Sequence, residues 1–192
     1  TKMKKCRQCK VMFEPTMSSM QICCSTDCAF AWARTIKGKA HVAKVKRADT
    51  RERRLKVKTK SEWTKETQVT FNAFIRERDL HEPCISCGIP ANNKINYWDC
   101  GHYRSVGSAP ELRFNVVNAH KQCKKCNRDL SGNVVEYRLR LIDRIGTRNL
   151  NWLEGPHEMP NLIIDDLIKL KAHYKLKKKE LENEREYQQK GV

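Results

Sequence analysis

HKQCKKCN, residues 120–127, is the stretch whose reading decides how the second half of this chain folds. Cys123 and Cys126 stand in C-x2-C spacing, and Cys84-Ile85-Ser86-Cys87 repeats it upstream. Two such pairs make a tetrahedral four-thiolate zinc set, each pair on its own turn. The 35 residues between the pairs exceed what a simple zinc ribbon needs, so that segment has room for structure of its own. Asn118, His120 and Asn127 stand beside the clip. A metal that fastens the two turns would therefore also place polar side chains.

The chain has 10 cysteines, in two clusters with none between them. In an intracellular protein this pattern argues for metal rather than disulfides. The first cluster offers Cys6-x2-Cys9 with Cys24-x3-Cys28, a second structural zinc set. Cys23 is an alternative third ligand at x4 spacing. Cys24 is preferred because Ser25-Thr26-Asp27 then forms a short loop leading into a helix at Cys28. Cys100 falls outside both paired spacings and is read as a bystander.

Composition bounds the partners. Lys and Arg number 39 against 22 Asp and Glu, for a net charge of +17. So basic a chain attracts polyanions, and nucleic acid is the commonest of them. No apolar run is long enough to span a membrane, and no charged start leads into a signal core. The expectation is a soluble, cytoplasmic protein with no membrane partner and no small-molecule substrate. From Arg34 to Lys60, 12 basic residues face only Asp49 and Glu52. This segment is both a solvated helical connector and a phosphate-tracking arm, with Arg47, Arg51 and Arg54 as DNA-binding candidates.

Periodicity organises the remainder. Thr59-Lys60-Ser61-Glu62 resembles a capping box, opening a helix through about Asp79 with Trp63, Thr67, Phe71, Phe74 and Arg78 on its packed side. Val134 to Ile145 predicts a second helix, with Val135, Leu139 and Ile142 inward and Gly146 as its stop. A polar loop with Gly155, Pro156 and Pro160 follows. Asn161 caps a last helix whose seam is Ile163, Leu167, Leu170 and Tyr174. From Lys175 a charged tail projects or frays. The domains expected are a zinc finger at 1–30, a basic helical arm at 31–60, a zinc-braced domain at 61–150 and a C-terminal helix at 151–192. That helix is a candidate dimerisation element.

The segment WDCGHYRSVGSAPELRFNVVNAHKQC (98–123) carries the chemistry. It holds Asp99, His102, Arg104, Arg113, Asn115, Asn118, His120 and Lys121, and leads on to Lys124, Lys125 and Asn127. Phosphodiester hydrolysis needs a base for water, a hard cation for the leaving oxygen and cations that position phosphate. Imidazole suits the base near neutral pH, and carboxylate or amide oxygens suit Mg²⁺. Each residue also has a plainer reading. His102 could be a capped loop histidine, Asp99 a local hydrogen-bond acceptor, and Asn127 the cap of a following helix.

The order CxxC…DxGHY…N-x4-CxxCN resembles the His-Me, or HNH, nucleases, whose ββα-metal motif is braced by a four-cysteine zinc. Phage endonuclease VII, a junction resolvase of that type, also carries an asparagine directly after its last zinc cysteine. FNAFIRERD, CISCG, DCGHYRSVGSAPELRFN, NAHKQC, CN and SGN closely resemble the lambdoid phage NinG (Rap) recombination endonucleases, over about residues 1–150. The resemblance implies an α+β fold, mostly helical, with a small zinc-braced ββα-metal core, flanking helices and an N-terminal zinc finger. His102 would be the general base and Asn127 a ligand of catalytic Mg²⁺ or Mn²⁺. Asn118 would fix the loop between the strands and orient the base. Asp99 would need a bend near Gly101 to reach the metal, with His120 as the substitute ligand. Arg104, Arg113, Lys121, Lys124 and Lys125 would line a DNA surface.

On this view the clip delivers Asn127 to face His102, and the protein is a phage-encoded endonuclease cutting branched double-stranded DNA (Holliday junctions, D-loops) in the host cytoplasm. Two cuts in a near-symmetric junction imply a two-fold homodimer. The rival is a non-catalytic two-zinc DNA-binding protein, such as a transcriptional regulator.

Overall fold

The structure, a computed structural model, describes residues 2–92 and 96–190. It is mostly helical α+β with two small antiparallel sheets, and it divides into two compact units, Thr1–Lys58 and Thr59–Val192.

In the first unit, β1 (Lys4–Lys5) pairs antiparallel with β2 (Met12–Phe13). Between them, Lys10 adopts a φ of 68°. Its N–H then donates to the Cys6 carbonyl at 3.0 Å, while the Cys6 N–H donates to Val11 O at 2.9 Å. Helix α1 (Thr26–Arg34) starts earlier than the sequence suggested. Ser25 is its cap rather than part of a loop, accepting from the Cys28 N–H at 3.2 Å. Thr35 caps α2 (Ile36–Lys56) in the same way, accepting from Gly38 N–H at 3.0 Å. A Cβ at Gly38 would lie 1.9 Å from the Trp32 carbonyl oxygen, so only glycine permits this corner. Cys6, Phe13, Cys23 and Trp32 form the unit's small core. Past Gly38 no residue of α2 is buried. The basic segment is thus a solvated helix, helped by the i,i+4 pairs Arg53–Asp49 and Lys56–Glu52. Each contributes only about 0.3–0.5 kcal/mol.

The second unit begins with the expected capping box. Thr59 N–H donates to Glu62 Oε2 at 2.9 Å, and Glu62 N–H to Thr59 Oγ1 at 3.3 Å, opening α3 (Lys60–Arg78). Thr67, Phe71 and Ile75 are its buried residues. Helix α5 (Ile164–Lys190) lies alongside. Thr67 Oγ1 donates to Leu167 O at 3.0 Å, and the Phe71 and Tyr174 rings sit 4.9 Å apart. Farther along, Arg185 pairs with Glu77. Partner numbers rise together, so the two helices run parallel. Leu167 and Tyr174 are buried and Leu170 packs beside them, whereas Ile163 is exposed and precedes the helix. The segment from Lys175 does not fray: it continues the helix to Lys190.

Strands β3 (Trp98–His102) and β4 (Ala119–Cys123) form an antiparallel hairpin in unbroken register, from Trp98 opposite Cys123 to His102 opposite Ala119. Cys100 and Ala119 pack against Phe71, Ile75 and Tyr174. On the other side stands α4 (Val134–Glu154), interrupted at Gly146 (φ 77°, ψ 159°). Gly146 does stop the first helical stretch, but helix resumes to Glu154 where a polar loop was expected. The inward face also differs. Ile142 packs against the core as expected, but Val135 and Leu139 are exposed, while Tyr137, Leu141, Leu150 and Leu153 are buried with Ile85, Ala109 and Leu112. A count of aliphatic residues missed Tyr137, which buries its ring because its hydroxyl finds partners. Among the described residues, no helix is long and apolar enough to cross a membrane.

Asp79, at the end of α3, ties these layers together. Its buried carboxylate accepts from Arg78 Nε (2.7 Å) and Nη2 (2.9 Å), Arg144 Nη2 (3.1 Å) and the Lys121 N–H (2.9 Å). Burial pushes its pKa up, but the two arginines and the Lys121 N–H outweigh this and hold it below the usual carboxylate value. A depressed folded pKa gives stability that is full above the unfolded value, about 3.9, and lost as pH falls through the folded one. Asp79→Ala should cost about 3 kcal/mol in urea unfolding at neutral pH. The variant should also lose part of the parent's acid-side decline in stability.

Candidate functional site

Both cysteine sets converge. The Sγ atoms of Cys6, Cys9, Cys24 and Cys28 lie within 4.8 Å of one another, as do those of Cys84, Cys87, Cys123 and Cys126. Each set could hold zinc. The turns repeat one design. Cys84 N–H donates to Ile89 O and Gly88 N–H to Cys84 O, both at 2.9 Å, with Gly88 at φ 70° where Lys10 stands in the first unit. In each set a backbone N–H crosses from the second pair to a sulfur of the first: Cys24 to Cys6 and Cys123 to Cys84, both at 3.4 Å. Burial raises the Cys6 and Cys84 thiols, but these and neighbouring N–H groups prevail, bringing Cys6 to about 5 and Cys84 below its usual value. Cys24 is pushed up to about 12 by hydrogen bonds with neighbouring thiols, and burial pushes Cys123 and Cys126 up. One stabilised thiolate in each set therefore waits on a cation such as tetrahedral zinc to ionise the others. Cys23 sits instead in the core beside Trp32, as the preference for Cys24 required.

The second clip shapes the hairpin's edge. Lys125–Asp129 forms a single π-helical turn directly after β4. It brings Asn127 Nδ2 to donate to Asp99 Oδ2 at 3.1 Å. Arg128, which the sequence reading did not single out, closes on the same carboxylate with Nε–Oδ2 of 2.6 Å and Nη2–Oδ1 of 2.9 Å. The only sequence signal for it is its place directly after Asn127. Burial raises the Asp99 pKa, but Arg128 and Asn127 outweigh it, so the carboxylate stays ionised. The β3–β4 register runs unbroken through Gly101, so no bend turns Asp99 towards His102; Asp99 lies opposite Gln122, next to where β4 runs into the turn, and meets Asn127 there.

His102 is placed differently from the expectation. Asn127 faces Asp99, not His102. Asp99 and His102 are three residues apart on one strand, so alternation sends them to opposite faces. The His102 ring packs near Phe71, with centroids 5.9 Å apart, and its Nε2 lies 3.0 Å from Arg113 O. A carbonyl only accepts, so Nε2 carries the proton and Nδ1 keeps the lone pair. Burial holds the pKa below its ordinary value despite the Arg113 and Cys100 carbonyls, so the ring is neutral at neutral pH. Asn118 is buried and braces the loop between the strands. It accepts from Arg104 N–H at 2.8 Å and donates to Arg104 O at 3.0 Å and Leu112 O at 3.3 Å.

His120 does not join Asp99. It is buried on the α4 side, with Nδ1 3.2 Å from the Tyr137 hydroxyl, and burial drives its pKa down to about 3. The same hydroxyl donates to Gly101 O at 3.1 Å. A Cβ at Gly101 would lie 2.1 Å from Gln122 Oε1, which explains the glycine directly before His102. Gln122 cannot yield freely, since its Nε2 donates to Ser86 Oγ and Gly132 O, both at 2.6 Å.

The basic candidates divide. Lys121 is not the exposed surface lysine that was expected. It is buried, its Nζ donating to Leu80 O at 2.7 Å and lying 4.5 Å from the Trp98 ring centre. Arg104 clips the loop to the end of α4 through Leu153 O (3.1 Å) and Gly155 O (3.0 Å). Arg113 is half-buried and reaches Gln68 Oε1 at 3.4 Å. Lys124 is half-buried beside Asp99, Lys125 is exposed, and Arg47, Arg51 and Arg54 line one exposed face of α2.

Comparison with known proteins places this geometry. The family described as "Bacteriophage Lambda NinG protein" matches residues 1–184. The chain belongs to the NinG family. It is 47% identical to the protein ninG of Escherichia phage lambda over 133 residues, covering 69% of this chain and 64% of that protein. Protein ninG of Escherichia phage 933W is 39% identical over 194 residues, or 95% of each chain. Protein ninG of Salmonella phage P22 is 44% identical over 133 residues, covering 69% of this chain and 64% of that one. No solved structure matches the chain.

Elemental analysis of this NinG-family chain should find two zinc ions per chain. Cys24→Ser should lose one of them and Cys23→Ser neither. Gly101→Ala should destabilise the second unit by about 2 kcal/mol, measured by urea unfolding. Truncating Gln122 to Ala in the same chain should recover part of that loss.

Proposed function

We propose that the chain is a metal-dependent endodeoxyribonuclease of the His-Me, or HNH, kind that cuts branched DNA such as Holliday junctions and D-loops. The supporting observation is the contact between Asp99 and Asn127 beside a thiolate-clipped hairpin that leads into a helix. A carboxylate and an amide side by side suit Mg²⁺ or Mn²⁺, which keeps most of its waters and takes few protein ligands. Asn127 now donates through Nδ2, and turning the amide over presents Oδ1 in its place. When bound, such an ion would polarise the phosphate and steady charge on the departing 3′ oxygen.

The chain's own residues supply the remainder. Nδ1 of His102 accepts the proton of the attacking water. The Arg113 carbonyl favours the tautomer that puts the lone pair on Nδ1. Asn118 acts one step back, holding the Leu112 carbonyl next to Arg113. Arg128 must leave Asp99 as the ion arrives, which releases a guanidinium towards phosphate. Because Asp99 and His102 emerge on opposite faces, the scissile phosphate would lie along the strand edge to meet both.

The branched substrate and an intracellular site of action rest on the resemblance to recombination endonucleases. Two cuts per junction favour a two-fold homodimer. The seam of α5 is filled by α3 of the same chain, so the dimer would use another surface. A non-catalytic two-zinc DNA-binding protein is the second reading, favoured by the way Arg128 already neutralises Asp99.

Incubation with a labelled four-way junction decides between them. The parent should cut with Mg²⁺ and not with EDTA, and His102→Ala should be slower by roughly 10²–10⁴. No cleavage under any divalent metal would sink the nuclease reading. A His102→Ala variant that cuts like the parent would remove His102 from the site.

A further inference from the structure

A cavity of about 440 Å³ opens beside the start of β3, walled by α3, α5, Lys121 of β4 and the turn after that strand. Arg76, Lys121, Lys124, Arg128 and Lys178 all line it, the Lys121 ammonium already donating to Leu80 O, and Asp99 forms part of its floor. Their partners differ in a telling way. Arg128 is held by Asp99 and Lys178 by Glu182, while Glu77, the other acid in the wall, is held by Arg185. Arg76 and Lys124 are half-buried, yet among the described residues neither has a hydrogen-bonded carboxylate; Lys124 feels only the charge of Asp99, whose oxygens are already taken by Arg128 and Asn127. A cation withdrawn from water without a counter-ion costs free energy, so the arrangement is favourable once an anion enters.

We infer that this cavity is a phosphodiester-binding site in which Arg76 and Lys124 grip the DNA backbone next to Asp99. It deepens the nuclease reading by placing the strand that would be cut, and it rests on that reading only for the chemistry that follows binding. The anion fits between two cations from separate elements. Arg76 offers a planar fork matched to two phosphate oxygens, and Lys124 offers a point charge. Lys178 brings α5 to the same place, which gives the long C-terminal helix a role at the site. A released Arg128 would add a further cation.

Binding can be measured without cleavage, by fluorescence anisotropy of a labelled four-way junction in EDTA over a range of KCl. The Arg76→Ala/Lys124→Ala double variant should bind about tenfold more weakly. Its plot of log affinity against log salt should be shallower by roughly 2, one counterion for each lost contact. Arg76→Lys should keep most of the slope, and Arg148→Ala, removing an exposed charge from α4, should change the slope by no more than one contact. Thermal melts confirm that each variant is folded. Equal affinity and slope in parent and double variant overturn the proposal. So does inorganic phosphate that raises the melting temperature of the parent alone while DNA binding is unaffected, since the cavity would then serve a free anion. Binding that depends on Arg76 and Lys124, with no cleavage under Mg²⁺, supports the cavity and sinks the nuclease reading instead.

Discussion

The second unit depends on one long-range constraint, the convergence of Cys84 and Cys87 with Cys123 and Cys126. Bringing these pairs together closes a loop whose entropic cost grows only slowly with length, while a four-thiolate zinc site contributes folding free energy outright. The closed loop is not idle chain. It holds a hairpin of only five residues per strand, and a two-stranded sheet of that size is marginal alone in water. Clipping one end of it, where Trp98 opposes Cys123, fixes the register of every residue up to His102. The clip also sets the starting direction of the turn that carries Asn127 and Arg128.

Polar groups hold the hairpin's two faces as firmly as apolar ones do. Asp79 accepts four hydrogen bonds from three elements, and one of its donors is the backbone of β4 itself. On the opposite side, Tyr137 joins His120 and the Gly101 carbonyl through a single hydroxyl. Removing one member of such a network leaves the others buried and unpaired, which costs more than the bond was worth. The β-hairpin is therefore pinned on both faces, and side chains at its edge, Asp99 above all, are aimed rather than loose.

Some of this was legible in the sequence and some was not. C-x2-C spacing is a chemical requirement, so both thiolate sets could be read from residue order, and Cys24 could be told from Cys23. The capping box at Thr59 is equally local. Tertiary facts were out of reach. Nothing local marks Lys121 as buried, since a lysine next to a zinc ligand looks like a surface residue until Leu80 and Trp98 cover it. The inward face of α4 was misplaced because it turns on a tyrosine. Asp99 and Asn127 do meet, as two ligands of one site would, but His102 was wrongly expected to face Asn127, because a β-strand separates Asp99 from His102 by parity and spacing in sequence hides the face on which a side chain emerges.

Arg128 sets Asp99 apart from the thiolate clip at the other edge of this turn. Four clustered thiols repel one another once ionised, so the clip needs its cation to hold together. Asp99 has no such need. An arginine from the same chain already satisfies both its oxygens, at the cost of a contact that any incoming cation must displace. Arg128 is largely exposed whereas Asp99 is not, so the guanidinium can swing outward at little cost while the carboxylate stays where β3 puts it. The fold therefore stands without a metal at Asp99, and a cation arriving there exchanges one positive charge for another instead of building the site. On the proposed nuclease reading, the displaced guanidinium would meet phosphate in the cavity beside it, so that metal and DNA would favour each other's binding through a single side chain.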